Sequence, residues 1–364
     1  MKIGILTYHR SNNYGALLQG LALREVLVRL GHHVTFIDYW PSYHRHMYAL
    51  FSITWLMFLK GTKCKLNYIK RCFNYYASRK ARKEKFDLFI TKQIEPYTSS
   101  TNETYDVIVH GSDQIWRKQP EIYKYNPVYF GKHKIKAKKK VSYAASMGIL
   151  PKKEYDKTII KGYLSNLDHI SVRESSLQRM LYDQGFSNVF LNLDPTLLLP
   201  MDYWVNQFEL KSDNDSYALY YKIQDSFDMI ELHRYTKSRG LKLIVIHSQA
   251  RCAETKENIT TADPQRFLQL IYGAKMVFTS SFHGLAFSLI FHKPFYASFT
   301  KNSDRASSLM KLCGLDDHLL VPYSMIPSYG DAINYLGVDN VLNELKDLSI
   351  KNLEKSVSFK NEEE

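Results

Sequence analysis

The stretch KIGILTYHRSNNYGALLQGLALREVLVRLGHHVTFIDY (2–39) decides the fold. KIGILTY is an apolar run of strand length, and HRSNNYG is rich in turn residues. ALLQGLALREVLVRLG repeats its apolar residues at helical spacing and stops at Gly31. Leu17, Leu18, Leu21, Leu23, Val26, Leu27 and Leu30 form the face that this helix buries. HVTFIDY then returns to strand. A strand, a helix and a second strand in so short a span form a βαβ unit, which requires a parallel sheet covered by helices.

The alternation continues downstream. Segments 105–111, 139–148, 169–174 and 189–194 read as strands, with helical patterns at 153–166 and 175–185. The polar stretch KSDNDS (211–216) marks a junction, after which SYALYYKI, LKLIVIHS, KMVFTSS and PFYASF alternate with helical segments. The expected class is therefore α/β, with two doubly wound, Rossmann-like domains facing a cleft. The first spans 1–210 and carries a helical insert at 44–95, both apolar and basic. The second spans 211–330, and residues 331–364 form a helix and a frayed tail.

The chain has 364 residues, enough for two ordinary domains. Its net charge is +13, which favours acidic partners without choosing among nucleic acid, anionic lipid and anionic small substrates. Cys64, Cys72, Cys252 and Cys313 lack metal-type spacing, so reduced thiols and no metal site are expected. The start of the chain reads as a strand rather than a signal peptide, and no apolar run is long enough to span a bilayer. A cytoplasmic protein is expected.

Four places carry chemistry. In TSSFHGLAFSLIFHKPF (279–295) a strand ends and a helix begins, where free N–H groups and the positive dipole end favour an anion. Ser281 caps that helix, Gly284 lets the backbone approach a ligand, and His283 holds or protonates one; the alternative is a capping histidine with no ligand. In HISVRE (169–174), Arg173 stands at a strand end. It either forks onto a carboxylate or phosphate, or forms a structural ion pair with Glu174 or Asp194. In VIVHGSDQIW (107–116), Asp113 is a candidate base for a sugar hydroxyl, Gln114 a hydrogen-bonding partner and Trp116 a stacking platform. The competing reading of GSD is a turn that caps a helix. In the first loop, Asn12, Asn13 and Tyr14 open a helix as a sugar- or phosphate-binding turn would, or for purely structural reasons. Dinucleotide and P-loop fingerprints are absent there.

Taken in order, NNYGALLQ, GSDQIW, SYAASMG, SVRE, DPTLLL and SFHGLAFSLIFHKPF resemble the polysaccharide pyruvyl transferase family, from residue 2 to about residue 320. The resemblance implies a GT-B-like fold, phosphoenolpyruvate as donor substrate with no other cofactor, and a cyclic pyruvate ketal on a capsular, exopolysaccharide or cell-wall saccharide as product. It places donor binding or activation on Arg173 and His283, with the acceptor expected on the side of the first domain and the donor on that of the second. Arg305, in KNSDRASSLM, falls at a basic position that often follows the second motif.

Residues 48–85 admit two readings. An apolar run followed by ten Lys or Arg and the single acid Glu84 in 60–85 suits the inner face of a membrane and an acceptor carried on a polyprenyl diphosphate. It equally suits packing on the first domain with a solvated basic face. KHKIKAKKK (132–140) reads as a loop rim, and without a nucleic-acid-binding motif no nucleic-acid partner is expected. The rival function is a GT-B glycosyltransferase using a nucleotide sugar, with Glu254 or Glu257 as an acidic ribose contact.

Overall fold

The computed structural model describes residues 1–50, 70, 73–119, 122, 124–212, 216–301, 304–328 and 332–359. Most of the apolar and basic run at 48–85 lies outside the described residues, and so does the membrane reading that rests on it.

The opening βαβ unit forms as expected. β1 (Lys2–Leu6) leads through α1 (Tyr14–Arg29) to β2 (His33–Ile37). β3 (Thr98–Ser99), β4 (Thr104–Asp113), β5 (Lys136–Ala145), β6 (Ile170–Val172) and β7 (Val189–Leu191) complete a seven-stranded sheet in the order β3-β2-β1-β4-β5-β6-β7. Every pairing is parallel. β8 (Tyr217–Lys222), β9 (Lys242–His247), β10 (Asn258–Ile259), β11 (Met276–Thr279), β12 (Phe295–Ser298) and β13 (Leu319–Leu320) form a second parallel sheet, ordered β10-β9-β8-β11-β12-β13. In each sheet the first strand sits centrally and the order reverses beside it, which opens a ligand crevice at the carboxyl ends. Two Rossmann-like, doubly wound sheets are thus present.

The helices follow the same logic. α2 (Ser42–Met47) and α3 (Tyr76–Gln93) belong to the insert, and α4 (Glu154–Leu164), α5 (Ser175–Asp183) and α6 (Met201–Gln207) cover the first sheet and lead out of it. α7 (Met229–Ser238), α8 (Pro264–Gly273), α9 (Phe282–Ile290) and α10 (Asp304–Leu312) serve the second. α11 (Tyr335–Val357) ends the described chain and returns to the first sheet. There Leu353 and Val357 are buried, Leu193 N donates to Ser349 Oγ at 3.0 Å, and Lys139 Nζ donates to Ser358 O at 2.8 Å. Among the described residues no helix is long and apolar enough to cross a membrane.

The core is continuous across the two sheets. Ile3, Leu17 and Val109 belong to the same buried cluster as Leu219, Phe267 and Phe287. This explains why α1 is buried almost all round from Tyr14 to Leu23, although its pattern read as one apolar face. Its first turns lie between the sheets. KHKIKAKKK corrects one expectation, because β5 begins inside it at Lys136. Lysine stems lie along the strand while their amines reach acceptors at its edge, as in Lys138 with Asp106 at 2.8 Å and Lys140 Nζ donating to Gly131 O at 3.0 Å.

Candidate functional site

The carboxyl ends of both sheets open into one cleft of about 560 Å³. From the first half, Asn12 and Asn13 line it after β1, and Asp113, Gln114 and Arg117 line it at the end of β4. From the second half, Gln224 follows β8, Arg251 follows β9, Ser281 to His283 follow β11, and Arg305 follows β12. The insert contributes Arg79, Arg82 and Lys83 from α3. Six Lys or Arg side chains thus meet the single carboxylate Asp113 among the lining residues. His44 also lines the cleft; burial, with help from Arg117, lowers it to about 4, so it is neutral at pH 7.

His283 sits where two helices begin. Ser281 caps α9 by accepting from Gly284 N at 3.4 Å, and Asn13 caps α1 by accepting from Ala16 N at 3.2 Å. The imidazole packs against Gly15 in the first turn of α1. A Cβ at that position would lie 1.9 Å from His283 Nδ1. The NNYG and SFHG segments therefore need each other. Gly15→Ala is expected to displace the ring and lower kcat/KM about 10²-fold, the scale of a 1 Å misplacement. Steady-state kinetics of that variant check this, and wild-type kcat/KM would show that the ring can move freely.

Asp194 anchors the other side of the ring. Its Oδ2 accepts from Arg173 Nη1 and lies 3.6 Å from His283 Nε2, while Oδ1 accepts from Thr196 N at 3.0 Å and Thr196 Oγ1 at 2.7 Å. Burial pushes this carboxyl up, but Arg173 and His283 outweigh it and hold Asp194 well below the usual carboxylate range. Arg173 also stands 3.5 Å from Asp113. The structural ion pair with Asp194 is therefore formed. Arg173 lies behind the cleft wall, its side chain only 2% exposed, whereas Arg305 lines the wall itself. Glu174 accepts from Ser146 Oγ and lies 3.7 Å from Arg305 Nε. Burial and the neighbouring Arg173 pull Arg305 down to about 10, against the pull of Glu174. The Phe282 ring lies between the two guanidinium groups, at 4.9 Å from Arg173 and 5.3 Å from Arg305.

Several buried nitrogens here make no hydrogen bond among the described residues: Arg173 Nε and Nη2, Arg305 Nε and His283 Nε2. The last three face carboxylates only at ion-pair distance, Arg173 Nη2 at 3.5 Å from Asp113, Arg305 Nε at 3.7 Å from Glu174 and His283 Nε2 at 3.6 Å from Asp194. Of these residues Arg305 and His283 line the cleft, and the positive charge of Arg305 there suits an anionic ligand.

Three expected ligand contacts are corrected. Trp116 is fully buried, donates Nε1 to Tyr129 O at 2.8 Å and stacks on Phe130, so it has no face for a sugar. Tyr14 is buried between the halves, stacked on Phe267 at 4.6 Å, with its hydroxyl donating to Ala262 O at 3.1 Å. Gly284 is buried too, and its missing side chain makes room for Thr279 Oγ1, 2.1 Å from where a Cβ would stand, rather than for a ligand. Asn12, Asn13, Asp113, Gln114, Ser281, His283 and Arg305 do line the cleft. Asp194 was visible in the sequence only as a possible ion-pair partner of Arg173. Its DPT context, an Asp before a Pro-led turn, signals a cap but not the histidine it faces. Glu254 is engaged by its own loop, accepting from Thr260 N at 2.6 Å and Thr261 Oγ1 at 3.1 Å.

Two parallel, Rossmann-like sheets whose carboxyl ends share a cationic cleft define a doubly wound α/β protein. The chain belongs to the polysaccharide pyruvyl transferase family, whose sequence profile matches residues 13–298. No curated protein matches it significantly. Similar solved structures include the UDP-GlcNAc 2-epimerase of Methanocaldococcus jannaschii in complex with UDP-GlcNAc and UDP, at 12% identity and a TM-score of 0.43, covering 99% of this chain and 94% of that one. The E. coli heptosyltransferase WaaC with ADP aligns at 11% identity and a TM-score of 0.39, covering 95% and 99%. The glycosyltransferase SnogD from Streptomyces nogalater aligns at 10% identity and a TM-score of 0.38, covering 98% and 97%.

Proposed function

We propose that the chain transfers the pyruvyl group of phosphoenolpyruvate to a pair of hydroxyls on a saccharide, forming a cyclic ketal during cell-surface glycan synthesis. The observation that supports this most is the pairing of family membership with a cleft whose donor end gathers Arg305, His283 and two helix starts. Phosphoenolpyruvate carries a carboxylate and a phosphate on one small frame, and such a site matches both.

His283 delivers a proton to the methylene carbon, leaving C2 electron-poor. The first sugar hydroxyl attacks C2 and gives its proton to Asp113. Phosphate then leaves with the C–O bonding electrons, and the second hydroxyl closes the ring and loses its own proton. Of the two protons released by the hydroxyls, one balances the proton gained by the methylene carbon and the other accompanies phosphate. Arg173 and Asp194 act behind this reaction, holding Asp113 and His283 in place. Arg305 meets the donor directly. The acceptor lies against Asn12, Asn13 and Gln114.

Thermal unfolding with added ligands tests the donor. At about a hundred times its Kd, phosphoenolpyruvate should stabilise the fold by roughly 2.7 kcal/mol and raise Tm by several degrees. Nucleoside diphosphates should give less. The reverse order would favour a nucleotide-sugar donor.

A further inference from the structure

The cleft is cationic at two separate places. At the donor end stands Arg305, beyond β12. At the other, Arg79, Arg82 and Lys83 occupy one face of α3, at the i, i+3 and i+4 spacing that brings helix side chains together. Arg82 is only 6% exposed. Its Nη1 donates to Tyr14 Oη at 2.6 Å and Thr260 O at 3.0 Å, while its Nη2 is buried with no hydrogen-bond partner among the described residues. Lys83, half-buried beside it, pairs with Asp87 at 2.5 Å.

The sheet order sets the spacing between the two clusters. Arg82 Nη1 reaches the carbonyl of His247, the last residue of β9, at 3.4 Å. From β9 the sheet runs through β8 and β11 to β12, three strand spacings, or about 14 Å. The carboxylate and phosphate of phosphoenolpyruvate share a three-carbon frame and cannot reach both clusters. The cleft volume of about 560 Å³ suits a ligand well above the donor's size. Nor does a neutral saccharide need a desolvated guanidinium with an unused donor, since burying such a group without an anion is costly.

We propose that the α3 cluster is a phosphoryl subsite for the acceptor. The saccharide would carry a phosphate or diphosphate ester, held by Arg82 and Lys83, while its hydroxyl pair lies toward His283 and Asp113. This rests on the reading of the opposite end as the donor site. The diphosphate could belong to a lipid carrier or to a nucleoside, and both present the same chemistry to α3.

Titration calorimetry of the full chain with inorganic pyrophosphate, in the presence of saturating phosphoenolpyruvate, tests the subsite. Pyrophosphate should bind the donor-loaded protein. Lys83→Ala and Arg82→Gln should each weaken it about 10-fold or more, the scale of a lost charge-assisted hydrogen bond. Donor affinity should stay within about twofold. Arg82 also ties α3 to the sheets, so Lys83→Ala carries the test if Arg82→Gln does not fold. Farnesyl diphosphate and uridine diphosphate, titrated the same way, distinguish the two carriers by which binds more tightly. Competition between pyrophosphate and phosphoenolpyruvate for one site, or unchanged pyrophosphate binding by Lys83→Ala, would overturn the proposal. Lys83-dependent pyrophosphate binding by a protein that does not bind phosphoenolpyruvate would sink the donor reading and leave this one standing.

Discussion

His283→Ala is expected to lower the rate of phosphate release from phosphoenolpyruvate by about 10²–10⁴-fold, the usual contribution of a positioned general acid. The ring is held from one side by Asp194, 3.6 Å from Nε2, and from the other by the Gly15 backbone. These contacts fix the orientation of the imidazole in the cleft wall. The alanine variant should retain the fold, because Ser281 rather than His283 caps α9. The split between kinetic constants is informative. A fall in kcat assigns His283 to proton transfer, while a rise in KM alone would reduce it to a donor-binding residue.

Asp194→Ala is expected to cost about 3–5 kcal/mol of stability, the range for removing one member of a buried ion pair. Asp194 is fully buried, and the substitution strands Arg173 without its main counter-charge. It also removes the cap on Thr196 N. Chemical denaturation would read the loss, and a double variant that also replaces Arg173 with methionine should recover part of it. A pH consequence follows from the lowered carboxyl. Its stabilisation is fully present above the unfolded pKa of about 3.9 and fades as pH falls toward the lower native value. In Asp194→Ala that part of the acid sensitivity should disappear. A variant as stable as the parent would mean that Arg173 is held by Asp113 and solvent instead.

Much of the fold was legible because parallel strands buried on both faces leave continuous apolar runs, as in KIGIL and KLIVIH. The edge strands β3, β10 and β13 were not, since two residues are too short for any periodicity. β5 hid its first half behind lysines that stay partly exposed although the strand lies between β4 and β6. The site was legible to the extent that strand ends and helix starts could be placed, which brought Asp113, Ser281 and His283 to one cleft, while Arg305 was reached only through the family resemblance. Burial was harder to read. Trp116 and Tyr14 follow cleft-lining residues in the chain, but their side chains turn into the core, a matter of tertiary packing that no local pattern records. The Asp194–His283 contact joins residues from the two halves, and the Arg82 cluster comes from an insert whose sequence showed charge without position.

Phosphoenolpyruvate is the proposed donor. The most direct test incubates the protein with phosphoenolpyruvate and a panel of glycosides and glycosyl phosphates, following phosphate release together with the mass of the saccharide. Release of phosphate matched by a gain of one pyruvylidene group, both abolished in His283→Ala, is the expected result. Intact phosphoenolpyruvate across the panel, with a nucleotide sugar consumed in its place, would rule out phosphoenolpyruvate as the donor.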